Sequence, residues 1–508
     1  MPVDRIVDVL WPGERPAAPE QNVATLVSRL RAVLGADLIQ GGRAEYRLAA
    51  GPGVTVDLDV AAGFCEQAEA KAATAAAVAL ATQALEAGER VADAEVSARA
   101  LVLRGRAHHA TGDDAAALAD LTLGADKARV VGDRRLEMFA LYELGTDIPV
   151  QCGLPISYYM SNLENGLRIA KSLGDRASEA NMLSHLAIIA ANRLRFDVAL
   201  DQGLRGVAAG RAAADDHALA TGLDGLKTVY LSLGDISALT GVLAELIPLL
   251  RRLRDPFLLQ WAEFENALPA IAAADWTAAA AAMESAVEIN GTAGYPHCAA
   301  WYVAHQGWLA RLRGRMEEAV MLGRQAAGLT EQHEVTWWEA TACAILGDTV
   351  LLAGDRAGAI ALFERGLAAA RQAGVEAYLL RCTAPLAAAT GSRAVLGEAA
   401  GQLEQASIPD GGAWMLGYEA YLSLAEAWLA HGEPDRARAV LAPLLAVAER
   451  EPWIPALAAA LATDGRALLR LGDKTHARAA AERAVRLARD HGLPHVLSEA
   501  GEALDRLR

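Results

Sequence analysis

The chain has 508 residues, of which 53% are apolar but only 5% aromatic, so Ala, Leu and Val dominate its apolar share. Such a composition favours helices, since Ala costs no side-chain entropy in a helix and Leu little. A net charge of −16 excludes a body that is basic throughout, so any nucleic-acid contact must be local. Five scattered cysteines form no C-x-x-C pair, which argues against both a disulfide framework and a zinc ribbon. Asp4 and Asp8 stand where a signal peptide would be basic, and the uncharged stretch 453–463 is too short to span a bilayer. The expectation is a cytoplasmic protein without membrane contact.

Residues 1–60 come first. Val3, Ile6, Val7 and Leu10 share one face of a short helix that stops near Trp11, before Pro12-Gly13 and Pro16. Pro19 opens a second helix, in which Val23, Leu26, Val27, Leu30, Val33 and Leu34 form an apolar stripe. Gln21, Thr25 and Ser28 stand opposite that stripe, flanked by Asn22, Arg29 and Arg31. Gly35 closes this helix. Leu38-Ile39-Gln40, Gly41-Gly42 and Tyr46-Arg47-Leu48 then read as a β-hairpin with Arg43 near its tip.

Helix, turn, helix, hairpin is the order of a winged helix. Leu10-Trp11-Pro12, the run from Asn22 to Arg31, Leu34-Gly35 and Tyr46-Arg47-Leu48 resemble the OmpR/PhoB-type winged-helix domain, in the version found in SARP-type regulators. The resemblance implies a transcriptional regulator whose second helix enters the major groove while the wing touches the backbone or adjacent minor groove. Carried over by position, Asn22, Thr25, Ser28, Arg29 and Arg31 face DNA, with Arg43 on the wing. It also implies a β-sheet and a first helix ahead of Val3, so the sequence opens inside a truncated domain. Residues 1–60 hold six Arg against eight Asp or Glu, a weak basic footprint. Val56-Asp57-Leu58-Asp59 leads into a helical stretch resembling the junction to a bacterial activation domain. The domains are therefore expected at 1–55, at 56–94 as a helical cap, and at 95–508.

From residue 95 onward the chain repeats. Turn signals such as Gly112-Asp113, Gly234-Asp235, Gly354-Asp355 and Gly472-Asp473 belong to a series spaced about forty residues apart, and a second series falls midway. Two turns per repeat leave room for two helices of about fifteen to eighteen residues. A pair this short cannot bury its stripe alone, but stacked neighbours share one core. The expectation is an all-α chain: an α-solenoid of about ten helix pairs, preceded by the truncated winged helix with its small hairpin. The pairs resemble tetratricopeptide repeats in the longer form of MalT-like sensor arms.

Trp261, Trp301, Trp338, Tyr378 and Tyr418 recur in the first helices of successive repeats. They serve either to pack repeats together or to line a concave groove for a protein, a peptide or a small effector. On the second reading, Trp301, Tyr302, Trp308, Trp337, Trp338 and Trp414 are the groove candidates. No G-x-x-x-x-G-K-[ST], G-x-G-x-x-G or G-x-S-x-G motif occurs, and the close histidines (108/109 and 491/495) lack metal-ligand spacing. No enzyme, cofactor or metal is expected. The chain reads as a DNA-binding transcriptional regulator with a sensor arm, with RNA polymerase or a second copy as further partners. The alternative is an interaction scaffold carrying a relic winged helix.

Overall fold

The computed structural model describes residues 1–34, 37–42, 44–48, 57–71, 75–146, 148, 152–333 and 335–507. Gly35, Arg43 and Val56, singled out above, lie outside them. Two compact units emerge, Met1–Asp133 and Arg134–Arg508.

In the first unit, the helices Val3–Leu10 and Pro19–Leu34 precede an antiparallel hairpin, with Ile39 opposite Leu48 and Gly41 opposite Tyr46. Val3, Val7, Val23, Val27, Ile39 and Tyr46 form its small core. Four more helices follow in two antiparallel pairs, Asp57–Lys71 with Ala75–Arg90 and Ala94–Ala110 with Asp114–Val131. Arg104 grips Asp120 through two bonds of 2.7 Å across the second pair.

Among the described residues, ten helix pairs follow one another in chain order from Ala94 to Asp490, and Pro494–Asp505 comes after them. The fold is an all-α solenoid with tetratricopeptide-like pairing, and its helix breaks coincide with both series of turn signals. The turns have a local cause. At Gly354 the backbone turns left-handed (φ +92°), ending one helix, and the Asp355 carboxylate accepts from Gly358 N at 2.8 Å to cap the next. The same aspartate cap recurs at Asp235, Asp255, Asp275 and Asp473.

Within the second unit, the first helix of each pair is the more buried. Asp216–Leu233 buries residues all round, whereas Ile236–Leu253 buries a single stripe. One continuous core runs from Met138 to Ala500. The unit also closes on itself about five pairs later. Phe196 N donates to Ser407 O and Ser407 N to Leu194 O, at 2.8 and 2.9 Å. Trp453 Nε1 donates to Gly234 O at 3.2 Å, and Trp276 Nε1 to His491 O at 2.9 Å. These contacts join segments of the second unit that lie about five helix pairs apart in the chain.

Candidate functional site

The N-terminal module shows why each predicted side chain lies where it does. Val23 and Val27 alone of the six-residue stripe are buried; Leu26, Leu30, Val33 and Leu34 are 40–82% exposed. Asn22, Thr25, Ser28 and Arg29 are exposed, and the Thr25 hydroxyl donates back to Gln21 O at 2.9 Å. Arg31 differs from them. Its Nε donates to Ile39 O at 2.8 Å, its terminal nitrogen donates to Gly41 O at 2.9 Å, and its guanidinium lies 5.6 Å from the Tyr46 ring centroid. This side chain ties the helix to the hairpin, and those donors are spent on the protein.

Two of the cavities in the second unit lie along its first helices. The larger, about 400 Å³, is bordered by a buried charge network. Arg311, Asp348, Arg381 and Glu419 come from four successive first helices, Ala299–Leu312, Thr336–Leu352, Glu376–Thr390 and Tyr418–Ala430. Arg381 bonds both Asp348 and Glu419, and Arg311 bonds Glu419 and stands 3.7 Å from Asp348. Trp308 Nε1 donates to Glu419 at 3.1 Å. Burial opposes the Glu419 charge, but Arg311 and Arg381 outweigh it and hold the carboxyl below its usual range. Burial likewise opposes the Arg381 charge, and Asp348 and Glu419 more than offset it.

The smaller cavity, about 210 Å³, is lined by Trp261, Trp301, Trp337, Trp338 and Tyr378 together with Asp224, Lys227 and Glu265. Lys227 is 1% exposed, with its Nζ 3.0 Å from Asp224 Oδ1 and 2.9 Å from Glu265 Oε1. Burial works against the Lys227 ammonium, but the two carboxylates outweigh it and raise its pKa. Burial pushes the Glu265 carboxyl up. His305 packs on Trp301 with ring centroids 4.3 Å apart, and its Nδ1 meets Trp301 O at 2.8 Å. Burial pushes its pKa down to about 4, so the ring is neutral near pH 7 and Nδ1–H is the donor to that carbonyl.

Of the six groove candidates, Trp301, Trp337 and Trp338 border the smaller cavity. Tyr302 is buried behind them, Trp308 serves the charge network, and Trp414 packs on its own loop, where its backbone N–H donates to Tyr421 Oη at 2.9 Å. Sequence reasoning missed the buried charges. The signal was present: Asp224 and Lys227 are three apart in an otherwise buried helix, and Arg311, Asp348, Arg381 and Glu419 recur about one repeat apart. Among the described residues no cluster of His, Cys, Asp and Glu is arranged to hold a metal ion, and no helix is long and apolar enough to cross a membrane.

No protein-family model matches the chain, and no curated protein matches its sequence. Solved structures similar to it include the apo form of RapI, at 11% identity and a TM-score of 0.42, covering 54% of this chain and 97% of that one. A Rap protein complexed with competence and sporulation factor shares 12% identity at a TM-score of 0.39, covering 78% and 97%. A signal transduction ATPase with a tetratricopeptide repeat sensor from Pyrococcus horikoshii shares 13% identity at a TM-score of 0.34, covering 84% and 58%. The chain's own helix pairing defines the solenoid.

Proposed function

We propose that the chain is a transcriptional regulator in which the N-terminal winged helix-turn-helix contacts DNA and the repeat array senses or docks a partner. The observation that carries this reading is the order of residues 3–48, with Asn22, Thr25 and Arg29 on one exposed polar face of the second helix and the hairpin pinned to that helix by Arg31. Arg29 is the one DNA-facing candidate among the described residues that combines a charge with no part in the hairpin contact. It is therefore the phosphate anchor, while Asn22 and Thr25 supply short polar groups for base edges. Effector or partner binding belongs to the inner wall of the array. One module makes few phosphate contacts, so occupancy requires a second copy or RNA polymerase alongside.

The test is fluorescence anisotropy of the full chain against a labelled duplex over a salt series. Binding should weaken with salt, and Arg29→Ala should lower both affinity and the salt slope, the latter by about 1. Binding that ignores both salt and Arg29→Ala would overturn the reading.

A specific observation favours a second reading, an interaction scaffold with a relic winged helix. Leu26, Leu30, Val33 and Leu34 leave an apolar face exposed on the would-be recognition helix, and such a face suits a protein partner better than a duplex. On that reading, deleting residues 1–48 abolishes no DNA binding, and partner capture by the array is unchanged.

A further inference from the structure

We propose that the smaller cavity of the repeat array binds a small organic ammonium ion, its charged nitrogen on the carboxylates of Glu265 and Asp224 and its apolar body on Trp261, Trp301 and Trp338. The biological role of this ligand as an effector rests on the regulator reading; the site itself does not.

Three observations converge. The space, about 210 Å³, far exceeds the ~10–15 Å³ that a single water needs, so it admits a molecule with a body. Among the described residues Asp224 and Glu265 share one ammonium, that of Lys227, and all three are at least nine-tenths buried. Lys227 occupies Oε1 of Glu265, while Oε2 is buried with no hydrogen-bond partner among the described residues. A buried carboxylate oxygen without a donor is unfavourable, and an N–H from a ligand would satisfy it once the carboxyl turns toward the cavity that Glu265 lines. The remaining wall is aromatic: the Trp301 ring lies 4.9 Å from Trp338 and 6.2 Å from Trp261, centroid to centroid. Tryptophan is the strongest cation–π partner among the side chains.

The same features select against other ligands. An anion would meet two carboxylates, and a neutral apolar molecule would leave Glu265 Oε2 unpaired. A quaternary ammonium has no N–H to give it, so a primary amine fits best. The indole N–H groups of Trp301 and Trp338 are also buried without acceptors among the described residues. A ligand oxygen would complement them.

The full chain should be titrated by tryptophan fluorescence and calorimetry, in the absence of DNA, with phenethylamine, 2-phenylethanol, phenylacetate and the tripeptide Phe-Gly-Gly. Phenethylamine should bind saturably at one site, at least ten-fold tighter than 2-phenylethanol, with no binding of phenylacetate. Glu265→Gln should weaken the amine at least ten-fold and leave the alcohol unchanged. Tighter binding of Phe-Gly-Gly than of phenethylamine would assign the ammonium to a peptide terminus, and weaker binding to a free amine. Equal affinity for amine and alcohol, absence of saturable amine binding, or indifference to Glu265→Gln would each overturn the proposal. If Glu265→Gln loses its helical circular dichroism, Trp338→Phe and the wild-type preference for amine over alcohol decide. Amine binding without duplex binding would refute the regulator reading alone; duplex binding without amine binding would refute this inference alone.

Discussion

Arg381→Met removes one cation from the network that joins four successive inner helices. The Arg381 side chain is buried and bonds Asp348 and Glu419 directly. Its loss leaves two buried carboxylates sharing Arg311, and breaking a buried ion pair from one side costs about 3–5 kcal/mol. In a repeat array this cost falls on the local opening of neighbouring helices more than on one global transition. At about 1.4 kcal/mol per tenfold, slow amides of Thr336–Leu352 and Tyr418–Ala430 should exchange two to four orders of magnitude faster. Hydrogen exchange read by mass spectrometry measures this directly. Arg371→Met is the control, because Arg371 makes an exposed ion pair with Glu398 at 3.4 Å, and such pairs contribute about 0–1 kcal/mol. Adding Asp348→Asn to Arg381→Met should recover part of the loss, since the carboxylate deprived of its partner is removed while Arg311 and Glu419 remain paired. If Arg381→Met exchanges like Arg371→Met, the network does not hold these helices together and the reasoning fails.

Three further predictions follow from single residues. His305 titrates near 4 when folded and near its ordinary 6.5 when unfolded. Below 6.5 the unfolded state therefore binds the extra proton, and stability is lost as pH falls toward 4. The loss between pH 7.5 and 4.5 is about 2.5 kcal/mol, and His305→Phe should show that much less acid sensitivity in urea unfolding. Gly234 is left-handed (φ +71°), and an added Cβ would collide with the Met415 side chain beside the Trp453 contact. Gly234→Ala should cost about 2–4 kcal/mol, read as a lower denaturant midpoint. Ala274 takes the same left-handed conformation (φ +56°) without being glycine. Ala274→Gly should raise stability by about 0.5–1 kcal/mol, and a lower midpoint would contradict the strain assigned there.

The solenoid was legible because its turn chemistry is local. Gly354-Asp355 and Gly472-Asp473 specify a helix stop and a helix start within two residues, and the spacing repeats. The closure of the superhelix was not legible. It depends on contacts such as Trp453 to Gly234, 219 residues apart, which no periodicity encodes. In the N-terminal module the helices and hairpin were readable from apolar spacing, but the extent of burial was not. Val33 belongs to the stripe by spacing and is 82% exposed, because no described neighbour covers it. Arg31 reads as a DNA-facing cation by position, yet its Nε and one terminal nitrogen donate to backbone carbonyls on the hairpin. The cavity charges were hidden for a related reason. Asp224 and Lys227 read as an ordinary pair on one helix, and the site takes shape only when Glu265, one repeat later, is brought within 2.9 Å of Lys227.

Selection of bound duplexes from a random pool by the full chain, beside the same selection with Arg29→Ala, tests the regulator assignment most directly. A shared sequence should be enriched by the wild type and lost or relaxed in the variant. Pools that stay random for both would contradict the assignment and leave the chain a docking array.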